Sequence, residues 1–152
     1  MASTSRAKLF VDNFPGKLDD QNRLTIPADW RFEAEGENVY LATFFPPSGG
    51  IMVLPPDIVE KVRDAARNTP LSNYAAKAAL RQISSSGTLV SCDKAGRIKL
   101  KESMLREAGI TKEVTFLGEV NSFLISSPTP PEPDVSSPRA TAFIEALKTI
   151  GL

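Results

Sequence analysis

An aspartate followed four residues later by an arginine occurs in two closely matched settings. The first is Leu18-Asp19-Asp20-Gln21-Asn22-Arg23-Leu24-Thr25-Ile26-Pro27, and the second is Cys92-Asp93-Lys94-Ala95-Gly96-Arg97-Ile98-Lys99-Leu100-Lys101. Asp19 and Asp93 stand 74 positions apart, as do Arg23 and Arg97. Residues of these types can do three kinds of chemistry. One carboxylate from each half of a duplicated chain can form an acid–base pair. An arginine on a loop can bind phosphate, or read guanine O6 and N7 together. Alternatively, each arginine can neutralise the aspartate of its own motif and thereby shape the loop. The spacing leaves open whether Asp and Arg pair within one loop or across to the other copy.

A unit written twice decides the architecture, so the elements around the motif come next. Asn22 and Gly96 fall where a tight turn needs a positive φ, which Gly and Asn reach most cheaply. Leu24 and Ile26, and then Ile98 and Leu100, alternate with Thr25 and Lys99, the period of a strand with one buried face. Each copy therefore reads as strand, polar turn and strand, then a short helical stretch and two apolar strands. In the first copy, Leu9, Phe10 and Val11 suggest a strand over residues 8–12, ended by Asn13-Phe14-Pro15-Gly16. Pro27 suits the first turn of a helix over residues 28–35, before Gly36. Trp30 and Phe32 are assigned to the core. Strands over 39–45 and 51–54 flank Pro46-Pro47-Ser48-Gly49-Gly50. In the second copy, strands are expected over 88–92, 98–100, 114–117 and 123–125, with a helix over 102–108 that Gly109 ends. Cys92 alternates with Val90, which suits a buried small hydrophobe better than a reactive thiol.

Two helices separate the copies. Residues 56–68 carry the stripe Ile58, Val59, Val62, Ala65 and Ala66. The next helix, capped by Ser72 or Asn73, has the stripe Ala75, Ala78, Ala79 and Ile83, and Ser84-Ser85-Ser86-Gly87 is expected to stop it. Lys77 and Arg81 share a face of it that reads as solvated, with a phosphate contact as the sharper alternative. Residues 126–138 are a proline-rich linker by composition. Ala142, Phe143, Ala146, Leu147 and Ile150 then restore helical periodicity, and that stripe is expected to dock on its own chain or a neighbour.

The doubled motif, with LDDQNRLTIPADWR in the first copy and CDKAGRIKLKESMLREAGITKEVTFLGE in the second, resembles the MraZ family of bacterial transcriptional regulators. The likeness covers roughly residues 7–127. Asn22 stands where the family's first turn usually has Gly, and Lys101 stands where the first copy has Pro27. The resemblance implies two AbrB-type units forming a swapped-hairpin barrel within one chain, and chains associating into a ring. It also implies binding to repeated DNA boxes upstream of the family's own operon, in the division and cell-wall gene cluster. Arg23 and Arg97 carry over as DNA-binding residues because they occupy the motif. Lys17, Lys94 and Lys99 join them on charge and proximity, and Asp19 and Asp93 are expected to structure the loops. The expected fold is α+β, mainly β, with units over 7–54 and 87–127, connecting helices over 55–86, a linker over 128–138 and a C-terminal helix over 139–152.

Composition limits the alternatives. Lys plus Arg equal Asp plus Glu at 18 each, so no overall charge draws the chain to nucleic acid. The average hides a distribution, because residues 91–127 hold six basic against five acidic residues and the basic ones crowd at Lys94, Arg97, Lys99 and Lys101. A basic face can sit on a neutral protein. With no His and one Cys, neither a Cys/His metal site nor an intrachain disulfide can form, and no cofactor is expected. The apolar runs are far short of a membrane span, and the start lacks the apolar core of a signal peptide. A cytoplasmic, nucleoid-associated protein is the expectation. An enzyme using paired Asp19 and Asp93 has against it the arginine beside each carboxylate, which would hold it ionised. An antitoxin-like interaction scaffold without DNA binding is the remaining alternative.

Overall fold

Short-period alternation and turn chemistry build most of the molecule. The computed structural model describes residues 8–32 and 39–152. In chain order these form β1 (Asn13–Lys17), β2 (Arg23–Thr25), a 3-10 turn (Ala28–Trp30), β3 (Val39–Phe45), β4 (Gly50–Leu54), α1 (Pro56–Arg67) and α2 (Tyr74–Ser86). The second half continues with β5 (Gly87–Ser91), β6 (Arg97–Lys99), α3 (Glu102–Glu107), β7 (Glu113–Gly118), β8 (Phe123–Ser126) and α4 (Pro138–Thr149). The class is α+β with sheet dominating.

The strands form a six-stranded antiparallel sheet in the order β1-β7-β8-β4-β3-β5 and a separate ribbon of β2 with β6. Exchanging the corresponding strands of the two halves, β1 with β5, β3 with β7 and β4 with β8, gives the same order read from the other end. The register agrees as well. Lys17 faces Glu113 while Val39 faces Ser91, and Asn13 faces Leu117 while Thr43 faces Gly87, each pair displaced by the 74 residues that separate the motifs. In the ribbon Leu24 lies opposite its own counterpart Ile98. A local two-fold axis therefore passes through the ribbon, and the first strand of each half pairs with the third strand of the other.

The core under the ribbon holds Phe10, Leu24, Ile26, Trp30, Tyr40, Ile51, Ile98, Leu100, Phe116, Phe123 and Ile125. Trp30 sits at its centre, with ring centroids 5.8 Å from Phe10, 5.2 Å from Phe14 and 4.9 Å from Phe123. Burying each such side chain stabilises by about 1.5–3 kcal/mol.

Several sequence expectations need correction. The opening strand is not at residues 8–12. Leu9 and Val11 are exposed and only Phe10 is buried, joined to Val120 by a single bridge. The strand is Asn13–Lys17, through the very residues expected to end it. Leu18 donates to Lys112 O and Asp12 O accepts from Gly118, so by alternation the nitrogen of Pro15 faces away from β7. An edge strand tolerates proline there. Gly16 has its own reason, since a Cβ would lie 2.5 Å from the Phe116 ring.

The helix expected over 28–35 is only the 3-10 turn as far as Trp30; Arg31 is already extended at φ −91°, and the remainder lies outside the described residues. On α2, Asn73 is the cap, accepting from Ala76 N at 3.1 Å, and Ala76 rather than Ala75 is buried. Ser84 to Ser86 stay helical, with Ser85 Oγ donating back to Arg81 O at 2.8 Å, and the chain passes directly into β5 at Gly87.

The linker is held along the β3–β4 turn. Pro131 packs so closely on Gly49 that a Cβ there would lie 2.4 Å from its ring, and Asp134 N donates to Pro47 O at 2.8 Å. Helix α4, capped by Ser137, buries Phe143 against Phe45 and Ala146 against Ala79 and Ile83 of α2. Ala142, assigned to its apolar stripe, is exposed. The helix thus docks on its own chain.

Candidate nucleic-acid interface

Each motif folds into the same turn, bond for bond. Asp19 Oδ1 accepts from Gln21 N and Arg23 N at 2.9 Å, and its Oδ2 accepts from Arg23 Nε at 2.7 Å. Asp93 Oδ1 accepts from Ala95 N and Arg97 N at 2.9 Å, and its Oδ2 accepts from Arg97 Nε, also at 2.9 Å. Asn22 N donates to Asp19 O, and Gly96 N to Asp93 O. Asn22 has φ +60° and Gly96 φ +83°, the left-handed conformation that the turn needs. Asp and Arg therefore pair within one loop.

These bonds favour the ionised carboxylate. The backbone N–H of Arg23 does most to bring Asp19 down to about 2, helped by the Arg23 guanidinium and the Gln21 N–H. The backbone N–H of Arg97 and its guanidinium lower Asp93 in the same way. The ribbon is antiparallel and each loop precedes its own strand, so the two loops sit at opposite ends of it. Asp19 and Asp93 do not face each other, and the acid–base pairing of an enzyme is not built.

What the ribbon does gather is cations. Arg23 lies opposite Lys99 and Thr25 opposite Arg97, while Leu24 and Ile98 between them are buried on the other face. The guanidinium side chains of Arg23 and Arg97 are 27% and 35% exposed. Each uses Nε on its own aspartate, and no further protein partner holds either one among the described residues. Lys94 is exposed at the tip of the second loop, and Lys99 is exposed on the strand. Lys17 is exposed at the end of β1 opposite Glu113, lining a groove with Thr111, Lys112 and Ser127 rather than standing on the ribbon. Lys77 and Arg81 lie on α2, which packs against α4, β3 and β5.

Reciprocal bonds tie each loop to the end of the other copy's strand. Leu100 N donates to Asn22 O at 3.0 Å, which brings Lys101 beside the first loop. Ile26 N donates to Gly96 O at 2.8 Å. Arg31 Nε donates to Ile26 O at 2.8 Å, and its guanidinium covers Gly96. Sequence reasoning missed Arg31, because nothing in its spacing from Arg23 points to a loop 65 residues further on. Cys92 is half-buried against the core, and burial pushes its thiol up. Among the described residues no group of His, Cys, Asp and Glu could hold a metal ion, and no helix is long and apolar enough to cross a membrane.

The ribbon gathers cations on one face while the motif carboxylates of its loops are tied into turns. No family model matches the chain. Curated relatives do, and each carries the name transcriptional regulator MraZ. That of Clostridium acetobutylicum is 30% identical, covering 72% of this chain and 75% of its own. Those of Mycobacterium ulcerans and Corynebacterium kroppenstedtii are 32% and 33% identical, each covering 74% of this chain and 77% of theirs. The chain belongs to the MraZ family of transcriptional regulators, which are not enzymes.

Proposed function

We propose that the protein is a sequence-specific DNA-binding transcriptional regulator that meets DNA through the exposed face of the β2–β6 ribbon and its two loops. The observation that carries this reading is the pairing of Arg23 with Lys99 and of Thr25 with Arg97 over a buried Leu24–Ile98 floor. A two-stranded ribbon fits a major groove about 12 Å wide. Arg23 and Arg97 keep amino groups available for a base or a phosphate, and Lys94, Lys99 and Lys17 supply phosphate contacts. Asp19 and Asp93 shape the loops.

The mirrored strand order supports a duplicated AbrB-like, swapped-hairpin barrel. The edges of the large sheet, β1 and β5, support self-association into a ring, with Leu89 exposed on β5 and Leu9, Val11 and Val120 exposed beside β1. In the family's manner, the DNA would be repeated boxes upstream of the protein's own operon among division and cell-wall genes, and the protein would be cytoplasmic and nucleoid-associated.

Binding to its own upstream region, measured at several salt concentrations, tests the reading. Arg97→Ala should cost about 1–3 kcal/mol and relax base preference if it reads a base, or lower the log–log salt slope by about one if it binds phosphate. Absence of salt-sensitive binding by the wild-type protein would favour the interaction scaffold. Unchanged affinity and slope in Arg97→Ala would remove that residue from the interface.

A further inference from the structure

We infer that Asp20 is a specificity residue of the ribbon, a carboxylate at the tip of the first loop that accepts from the amino group of a cytosine in the major groove. This rests on the DNA-binding reading above and adds an anionic reader to a face so far described by its cations.

The repeat places Asp20. Asn22 N donates to Asp19 O at 3.1 Å and Gly96 N to Asp93 O at 2.9 Å, so each loop is a four-residue turn. Asp20 and Lys94 hold the second position of their turns, and both are exposed. The side-chain bonds of the two turns match one for one. The spot that one loop tip fills with an ammonium group is therefore filled by a carboxylate at the other.

The turn itself makes no use of that carboxylate. Asp19 accepts the three bonds that shape the first loop, and the Arg23 guanidinium pairs with Asp19. Asp20 has neither a hydrogen bond nor an ion pair among the described residues. Lys99 lies opposite Arg23, and the bond from Leu100 N to Asn22 O brings Lys101 beside the loop, yet neither lysine pairs with Asp20.

Electrostatics select the ligand. Arg23 and Lys99 draw this end of the ribbon onto DNA, and the loop tip goes with them. A phosphate repels a carboxylate at short range. In the major groove guanine presents the acceptors N7 and O6, and thymine presents O4 and a methyl group, so neither base offers a donor. Adenine offers N6, but its N7 acceptor stands beside it. Cytosine offers N4 with no acceptor beside it on its own ring, which makes it the base a carboxylate selects. Lys94 has the opposite preference, for guanine or phosphate. The two ends of a nearly symmetric ribbon thus read different chemistry, and the ribbon gains a direction along the DNA.

The test uses the full chain on its own upstream DNA, with each base pair of the bound region replaced in turn, and on a scrambled fragment. Wild-type protein should lose about tenfold in affinity on replacement of one particular cytosine. Asp20→Ala should abolish that penalty alone, keep the others, and bind the scrambled fragment more tightly. Asp20→Asn, whose amide suits adenine N6 and N7, should move the preference at that position from cytosine to adenine. An Asp20→Ala protein with wild-type penalties at every position overturns the inference. So does a flattening of penalties at many positions, since Asp20 would then act through the shape of the loop. If Asp20→Ala does not fold, Asp20→Asn decides, with an unchanged preference for cytosine overturning the inference. Salt-sensitive wild-type binding without a preferred cytosine also overturns it and leaves DNA binding standing. Wild-type protein without salt-sensitive binding would instead bring down the DNA reading as a whole.

Discussion

At the scale of single residues, each aspartate does more for its turn than for a ligand. Asp19 is held at about 2 against an ordinary 3.8, so the ionised form is the one the folded loop favours. A depressed folded value means the contribution is complete above the ordinary pKa and is lost as pH falls through the folded one. The first loop should therefore be insensitive to pH between 5 and 8 and loosen only between about 4 and 2. A carboxyl NMR titration of Asp19 should show its midpoint near 2, and Asp19→Asn should remove the acid-induced change. The positive-φ positions differ in a testable way too. Asn22→Gly should alter thermal stability little, whereas Gly96→Ala must place a Cβ against the Arg31 guanidinium at φ +83° and should cost about 1–2 kcal/mol in thermal denaturation. Both turn positions were legible in the sequence, because positive φ selects residue types. The pairing of Asp with Arg inside one loop was not, since four residues of separation suits a partner in either copy. Arg31 was invisible for a related reason: its neighbour is set by strand pairing and not by distance along the chain.

At the scale of elements, alternation located most strands but propensity misplaced some ends. The apolar run Leu9-Phe10-Val11 looked like a strand, yet the register of β7 selected Asn13–Lys17, where an edge position suits Pro15. Three serines looked like a helix stop, but Ser85 bonds within the helix and Thr43 Oγ1 holds Ser86 O at 3.1 Å. The C-terminal helix was legible as a helix, while its seat was not. Phe143 is fully buried among Met52, Leu54 and Leu124, with the Phe45 ring 5.5 Å away. Arg139 adds an ion pair to Glu107 and lies over the Phe44 ring. Phe143→Ala should destabilise by about 3–5 kcal/mol in chemical denaturation. Because α4 packs on α2 and the β3–β4 hairpin, DNA binding by the protein that remains folded should keep its wild-type salt slope. A changed slope would tie the tail to the interface.

At the scale of the whole molecule, the 74-residue spacing of the two motifs is legible in the sequence, while the mirrored strand order emerges only from the pairing of the strands. Among the described residues the sheet's outer strands β1 and β5 have one neighbour each, with Leu89 exposed on β5 and Leu9, Val11 and Val120 exposed near β1. Light scattering at micromolar concentration should give a mass above that of one chain, and a monomeric mass would remove the ring from the proposal. The mirrored strand order also bears on how the chain is made. Asn13 must wait for Leu117, and Thr43 for Gly87, before either half has a complete sheet. A ribosome that has released only the first half has therefore delivered strands without their partners, whose open edges invite the wrong ones. That exposure is expected to last until β7 and β8 leave the exit tunnel and pair with β1 and β4.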